Sequence, residues 1–302
     1  MSAARKKTAA GKPKIGKLVV IGVGLIGGSF ALALKRAKLV RHVVGVGRTK
    51  KNLDAALKLG VIDEASRDAA KAVRDADLVF LGTPVGQMPE VMAQIAPALG
   101  DKTVITDGGS TKQDVIAYAK RFLGDHFERF VPSHPIAGTE KSGATAAFPE
   151  LFRDRNVILA PQPETKTSAS KLVRDAWLAT GAKIVRLDPR RHDEIFAAVS
   201  HLPHVVAFAL VSMLAKRKDA PTLLGYSGGG LRDTVRIAGS SPEMWRDICV
   251  ANREALVALL DNYVEELEIA RGAIENCDAA ALTRMFERAR DARSRWLIRK
   301  PA

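Results

Sequence analysis

KLVVIGVGLIGGSFALALKRA, residues 17–37, is the stretch whose reading decides the fold. Lys17 to Ile21 form a short apolar run of the kind that makes a buried strand, and glycines follow at once at Gly22, Gly24, Gly27 and Gly28. SFALALKRA then has the composition of a helix. A G-x-G-x-x-G string says little alone, but one that leaves a strand and opens a helix is a dinucleotide-binding turn. Gly22 permits the tight turn, Gly24 lets the backbone approach a pyrophosphate, and Gly27 lets the helix pack closely on the strand. The diphosphate is expected on the helix N-terminus, where the unpaired N–H groups around Leu25 and Ile26 favour an anion. The uncharged run Leu18–Leu34 imitates a membrane span, yet its 17 residues, broken by glycine, fall short of the ~20 that a helix needs to cross a bilayer.

Outward from this turn, strand and helix patterns alternate. HVVGV (42–46) reads as a strand and KNLDAALKLG (51–60) as a helix stopped by Gly60. The series continues with strands at 76–84, 103–109, near 129–132, 156–160 and 183–187, and helices around 87–98, 111–123 and 168–180. Such alternation predicts an α/β fold, a doubly wound parallel sheet of the Rossmann type. After Pro189 the strand signals stop. Residues 190–216, 242–271 and 278–297 carry apolar residues at helical spacing, separated by a turn-rich stretch from Pro221 to Pro242. The expected division is a basic arm at 1–14, a Rossmann domain at 15–187, and an all-helical domain at 188–302 for substrate and dimerisation.

The 302 residues carry 47 Lys and Arg against 33 Asp and Glu, a net charge of +14, and 47% are hydrophobic, which excludes disorder. The surplus is local. Thirteen basic residues precede the first acidic one, Asp54, and the remaining 249 residues carry only +1. Six of the thirteen lie in MSAARKKTAAGKPKIGK, which has no apolar periodicity and reads as a disordered arm. With 5% aromatic residues and no helix-turn-helix or finger pattern, no specific nucleic-acid partner is expected, and no membrane either. Cys249 and Cys277 have no ligand-like spacing around them, which suits a reducing cytoplasm and no metal.

The end of the second strand sets cofactor choice. An acid there would bind the ribose hydroxyls of NAD, but the chain reads Val46-Gly47-Arg48-Thr49-Lys50-Lys51. Arg48, helped by Thr49 and Lys50, either binds the 2′-phosphate of NADP or stacks on the adenine and admits both cofactors, so NADP or NAD is expected. Thr83-Pro84-Val85 and Asp107-Gly108-Gly109-Ser110-Thr111-Lys112 end the next two strands and should face the nicotinamide. His134, flanked by Pro135 in a glycine-containing loop at a strand end, is held as a general base should be.

Taken together, GVGLIGGS, DGGSTK, HPIAGTEKSG, AVSHLPH and LRDTVRIAGSSPEMWRDI resemble the prephenate and arogenate dehydrogenase family, the NAD(P)-dependent enzymes of tyrosine synthesis, over about residues 17–295. The resemblance implies that His134 takes the proton of the ring 4-hydroxyl, that Ser110 hydrogen-bonds His134, that Glu140 gates the pocket and that Arg236 binds a substrate carboxylate. Val235 stands where the family pattern has Thr. His192, His201 and His204 match positions lining the substrate pocket, Asp233 and Trp245 positions near it, and Gly229 belongs to a glycine bend beside the substrate. Prephenate has two carboxylates, which suits the planar fork of Arg236.

Plainer readings stand beside these. The three histidines serve equally as hydrogen-bonded core residues, Asp233 as a helix N-cap or partner of Arg232 or Arg236, and Trp245 as core. A β-hydroxyacid dehydrogenase of the 3-hydroxyisobutyrate or 6-phosphogluconate type shares the layout but needs a catalytic lysine in a glycine motif, which is not seen near 160–180, and leaves His134 unexplained. Gly225-Tyr226-Ser227-Gly228-Gly229 matches G-x-S-x-G, yet no strand pattern precedes it. A homodimer through the helices is expected, because the three long amphipathic helices exceed what so small a domain can bury.

Overall fold

A computed structural model describes residues 14–139 and 141–298 of the chain. The basic arm, apart from Lys14, and Glu140 lie outside the described residues.

The chain opens with β1 (Ile15–Ile21), α1 (Leu25–Arg36), β2 (Val40–Val46), α2 (Lys50–Lys58), β3 (Glu64–Ser66), α3 (Ala69–Val73) and β4 (Leu78–Leu81). It continues with α4 (Met88–Ile95), β5 (Val104–Asp107), α5 (Gln113–Phe122) and β6 (Phe130–Val131). These strands form one parallel sheet in the order β3-β2-β1-β4-β5-β6, a doubly wound Rossmann arrangement as the strand and helix alternation predicts. The order reverses between β1 and β4, so their carboxyl ends, at Gly22 and Gly82, border the crevice where such sheets bind ligands. Register is continuous there, with Ile21 beside Val46 on one side and Leu81 on the other.

Both faces of the sheet are covered. On one, Phe30 of α1 stacks on Phe80 of β4 at 4.7 Å and meets Trp177 at 4.5 Å, all three fully buried. On the other, Met88, Met92 and Ile95 of α4 pack with Val115 and Ala119 of α5 beneath Val19, Val79 and Ile105. Each enclosed apolar side chain of this size contributes about 1.5–3 kcal/mol.

Two of the expected strands do not join this sheet. Residues β7 (Ser133–Pro135), β8 (Asn156–Leu159), α6 (Thr167–Ala179) and β9 (Lys183–Arg186) follow β6, and β7-β8-β9 make a separate sheet with β7 antiparallel to β8. Pro132, which has no N–H to donate, ends pairing after Val131 and lets the chain turn away. His134, expected in a loop, therefore lies on a strand opposite Ile158.

No strand follows Arg186 among the described residues, and the elements are all helical. α7 (Pro189–Phe196) is capped by Asp188, whose side chain accepts from the N–H groups of Arg190 and Arg191, and runs through a π-helical stretch, Ala197–His201, into α8 (Leu202–Ala215). This stretch is long and apolar enough to span a bilayer, but Asp193 within it accepts hydrogen bonds from the backbone of Lys112 and Gln113 beside the Rossmann sheet. The turn-rich segment holds short helices, α9 (Ala220–Gly225) and α10 (Gly229–Val235), before α11 (Pro242–Ala251). Ser227 lies between two helices, so the strand that a nucleophile elbow requires is missing. Residues through Arg253 pack as one compact unit. The described residues from Glu254 form a second, made of α12 (Arg253–Glu275) and α13 (Ala279–Ile298).

The two sheets are joined by buried charge. At the end of β5, Asp107 pairs with Lys112, both side chains wholly enclosed. Asp107 also accepts from the N–H groups of Gly109 (2.8 Å) and Ser133 (2.9 Å), while Lys112 Nζ donates to the Ser133 carbonyl at 2.8 Å. Removing one member of a buried pair strands the other. Lys112→Met is expected to lower unfolding free energy by about 3–5 kcal/mol in urea titration, and unchanged stability would show that the pair does not hold the sheets together.

Candidate active site

The site is built at the carboxyl ends of the central strands. Gly22 has φ +95°, and a Cβ there would lie 2.6 Å from the Gly82 carbonyl group. Gly27 faces the same restriction, since a Cβ would stand 2.5 Å from the Gly22 oxygen and 2.7 Å from Val20. Gly24 differs. A Cβ on it would meet nothing within 4 Å, so the helix end it caps opens onto free space. Gly24 caps α1 without a side-chain bond, and the first helical bond runs from Gly28 N–H to the Gly24 carbonyl, leaving the N–H groups of Leu25, Ile26 and Gly27 ahead of it. Across the crevice, the Thr83 hydroxyl is buried without a partner among the described residues. An open helix N-terminus and an unsatisfied hydroxyl fit a dinucleotide.

Pro84 follows Thr83 in this loop, but Val85, expected with them at the cofactor, turns its side chain into the core at 3% exposure. Arg48, Thr49 and Lys50 stand exposed at the end of β2, and Lys50 pairs with Asp54 at 2.8 Å.

His134 is almost fully enclosed. Its Nδ1 lies 2.8 Å from Nε2 of His192, whose Nδ1 lies 2.8 Å from Oδ1 of Asp193. Asp193 also accepts from the backbone N–H of Lys112 (2.8 Å) and Gln113 (2.9 Å). Burial pushes its pKa up, but the hydrogen bonds from His192 and those N–H groups prevail and hold it below the usual carboxylate value. The protons follow from that. An ionised Asp193 can only accept, so His192 carries its proton on Nδ1 and accepts on Nε2, and His134 donates from Nδ1. The remaining ring nitrogen of His134, Nε2, keeps its lone pair. Burial, followed by the nearby His192, Lys112 and His201, holds the His134 pKa well below the ordinary imidazole value, so the ring is neutral.

This arrangement corrects two expectations. The partner of His134 is His192, which occupies Nδ1, and not Ser110, which makes no hydrogen bond to a described residue. His192, expected to line the pocket, is fully buried behind His134 and has no surface to offer a substrate.

A second group assembles alongside. The His204 ring stacks on Trp245 with centroids 3.5 Å apart, and His201 meets the same indole edge-on at 6.1 Å. Trp245 is 8% exposed and its Nε1 has no partner among the described residues, nor has His201 Nε2. Arg236, in the turn after α10, is exposed, close enough to His204 to depress its pKa alongside burial, and forms no ion pair with a described residue. Asp233 lies exposed within α10 and not at its N-cap, and Gly229 is exposed at the start of that helix.

Three contributors were not singled out from the sequence. Asn252, at the break between α11 and α12, donates to the Asp193 carbonyl at 2.8 Å and lies 3.1 Å from His201 Nδ1, linking the two groups. Its only signal is an amide inside a long helical pattern. Lys112 closes DGGSTK and Asp193 follows His192, but neither position carries a sign of burial.

A family model described as "Prephenate dehydrogenase, nucleotide-binding domain" matches residues 30–186, and one described as "Prephenate dehydrogenase, dimerization domain" matches 188–288. The chain is 36% identical over 285 residues to a prephenate dehydrogenase of Bacillus subtilis, covering 94% of this chain and 76% of that protein. It is 38% identical over 278 residues to a cyclohexadienyl dehydrogenase of Zymomonas mobilis, covering 91% and 94%. Among solved structures, the Aquifex aeolicus prephenate dehydrogenase in complex with hydroxyphenyl propionate and NAD+ superposes with a TM-score of 0.83 at 33% identity, over 92% of this chain and 98% of that one. The Synechocystis arogenate dehydrogenase gives 0.73 at 29% identity, over 93% and 99%.

The buried histidines set a pH dependence. Burial, against the pull of Asp193, brings the His201 pKa to about 4, and it lowers those of His134 and His192 as well. Below the ordinary imidazole value the unfolded chain binds protons that the folded one refuses, so stability falls as pH falls. For His201 the loss grows from pH ~6.5 to its folded pKa of about 4 and then levels at about 3 kcal/mol. Urea titrations should show lower stability at acid pH than at neutrality, with a smaller difference in His201→Gln. An identical difference in that variant would contradict the assignment.

Proposed function

Because the chain belongs to the prephenate dehydrogenase family, we propose that it catalyses the NAD(P)-dependent oxidative decarboxylation of prephenate to 4-hydroxyphenylpyruvate in tyrosine biosynthesis, with arogenate, which bears an amino in place of the keto group, as the companion substrate. The single observation that carries the mechanism is the buried chain of contacts from Asp193 through His192 to His134. We assign residues 15–187 to dinucleotide binding and 188–302 to substrate binding and dimerisation.

His134 is the base. Its Nε2 accepts the proton of the ring 4-hydroxyl, and the positive charge is shared through Nδ1 with His192 and the Asp193 carboxylate. What a bound nicotinamide supplies is acceptance of hydride from ring C4. Loss of carbon dioxide then aromatises the ring, its electron pair flows to the C4 oxygen, and the phenolate recovers the proton from His134. Gly22, Gly24 and Gly27, with the N–H groups of Leu25 and Ile26, would hold the pyrophosphate, and Thr83 and Pro84 would border the nicotinamide.

Arg236 binds a substrate carboxylate. Its lack of a described acidic partner supports that role, since a planar guanidinium is a bidentate carboxylate receptor. The orphan nitrogens of His201 and Trp245 offer further hydrogen bonds beside it, and His204 is held against Trp245 by stacking. On this reading Asp233 and Gly229 line the approach and Glu140 gates it.

The molecule acts as a cytoplasmic homodimer on this reading. Large apolar side chains are exposed on the helical part, among them Met213, Val264, Leu267, Phe286 and Trp296, and the matched model is a dimerisation domain. Light scattering is expected to return twice the 32.5 kDa chain mass, and a single-chain value would overturn the dimer. Supplying prephenate with either cofactor and following reduced-nicotinamide absorbance tests the activity. His134→Asn is expected to lower kcat about 10²–10⁴-fold while cofactor binding persists. Near-normal kcat would refute the base.

A further inference from the structure

The end of β2 offers no carboxylate to a ribose, but the fold brings one there from a distant part of the chain. Glu243, near the start of α11, accepts from Gln87 Nε2 at 2.8 Å and stands 3.5 Å from Arg48 Nη2. Arg48 follows β2 and Gln87 follows β4, and these two strands flank β1 with its glycine turn. The carboxylate therefore bridges the two loops that border the dinucleotide crevice. Its position is not an accident of a loose side chain, because α11 is seated on the same turn one helical turn further on. A Cβ at Gly86 would lie 2.6 Å from the Asp247 carboxylate, so Gly86 is the residue that lets Asp247, and with it the helix, approach so closely. Hydrogen bonds from Arg48 and Gln87 keep the Glu243 pKa below its ordinary value, so it is charged at neutrality.

We propose that Glu243 is the acid that selects between the two nicotinamide cofactors, favouring NAD over NADP. The inference rests on the dinucleotide reading of the crevice. A ribose 2′-hydroxyl can donate to a carboxylate, as it does to the acid that ordinarily closes β2 in NAD-binding sheets. A 2′-phosphate has no proton to donate at neutral pH. To use Arg48 it must take the guanidinium from Glu243 and then remain beside a like charge. Arg48 and Glu243 are both substantially exposed, so their mutual attraction is weak and the guanidinium is not locked away. NADP is therefore disfavoured by repulsion and not by a blocked site, and one charge removed should admit it. The guanidinium expected to recognise a phosphate is the one that Glu243 neutralises.

The test is direct binding without substrate. NAD+ and NADP+ are titrated calorimetrically into the full-length protein, its Glu243→Gln variant, and the double variant Arg48→Ala with Glu243→Gln. Wild type should bind NAD+ the tighter. In Glu243→Gln the ratio of NADP+ to NAD+ affinity should rise about ten-fold or more, and the double variant should lose that gain because the cation is gone. Gln87→Met, which leaves the charge but removes the bond that holds it, should shift the ratio in the same direction by less. A wild type that prefers NADP+, or a ratio unchanged in Glu243→Gln, would overturn the assignment while leaving the dehydrogenase reading intact. Failure of wild type to bind either cofactor would instead sink the dinucleotide reading and this inference with it.

Discussion

The buried pairing of Lys112 with Asp107 is the constraint on which the rest of the site depends. Asp107 is the last residue of β5 and would otherwise be a charge sealed in a hydrophobic interior. It is satisfied by Lys112 and by the N–H groups of Gly109 and Ser133. Ser133 is the first residue of the second sheet, so the same carboxylate that terminates the Rossmann strand fixes where that sheet begins. His134 follows immediately, and its backbone position is determined by a salt bridge it does not touch. Such pairs contribute little net stability compared with an apolar core of the same shape. What this one contributes is registry between two sheets.

The helical half completes what the sheet begins. Asp193 on α7 takes the two backbone N–H groups at the start of α5, which ties α7 to the Rossmann layer, and its Oδ1, shared with the Lys112 N–H, also orients His192. Asn252 then reaches from the end of α11 to α7 and to His201. His134, its supporting His192 and His201 thus share one hydrogen-bonded frame, and His201 in turn meets Trp245 edge-on. The cost is electrostatic, since three imidazoles are kept uncharged by burial in a region that must also hold an anion.

Much of this was readable in the sequence, and the limits were physical. The glycine turn, the parallel order and the change to helices declare themselves because they depend on local chemistry and on periodicity over many residues. β3, α3 and β7 are too short for any period to emerge, and Pro132 marks the end of one strand without showing that the next three residues open another sheet. α9 and α10 sit in a segment rich in glycine and proline, where turn signals mask single helical turns. In the site, His134 and Arg236 stand in distinctive motifs. Asp193 and Asn252 do not, and Glu243, although inside the same motif as Arg236, shows nothing of its partners there, because each matters through a residue more than fifty positions away and no local pattern encodes such a meeting.

The π-helical stretch at Ala197–His201 has its own consequence. His192 and His201 are nine positions apart, and in an unbroken α-helix of 3.6 residues per turn they would point about half a turn away from each other. The wider winding absorbs a residue and rotates His201 back toward the side occupied by His192, where Asn252 receives it. The helix is in effect a dial set one notch from its natural rest. Regular α-helical winding over the same nine positions would relieve the stretch and turn His201 out of the site, so local perfection and a working arrangement are opposed at this point in the chain.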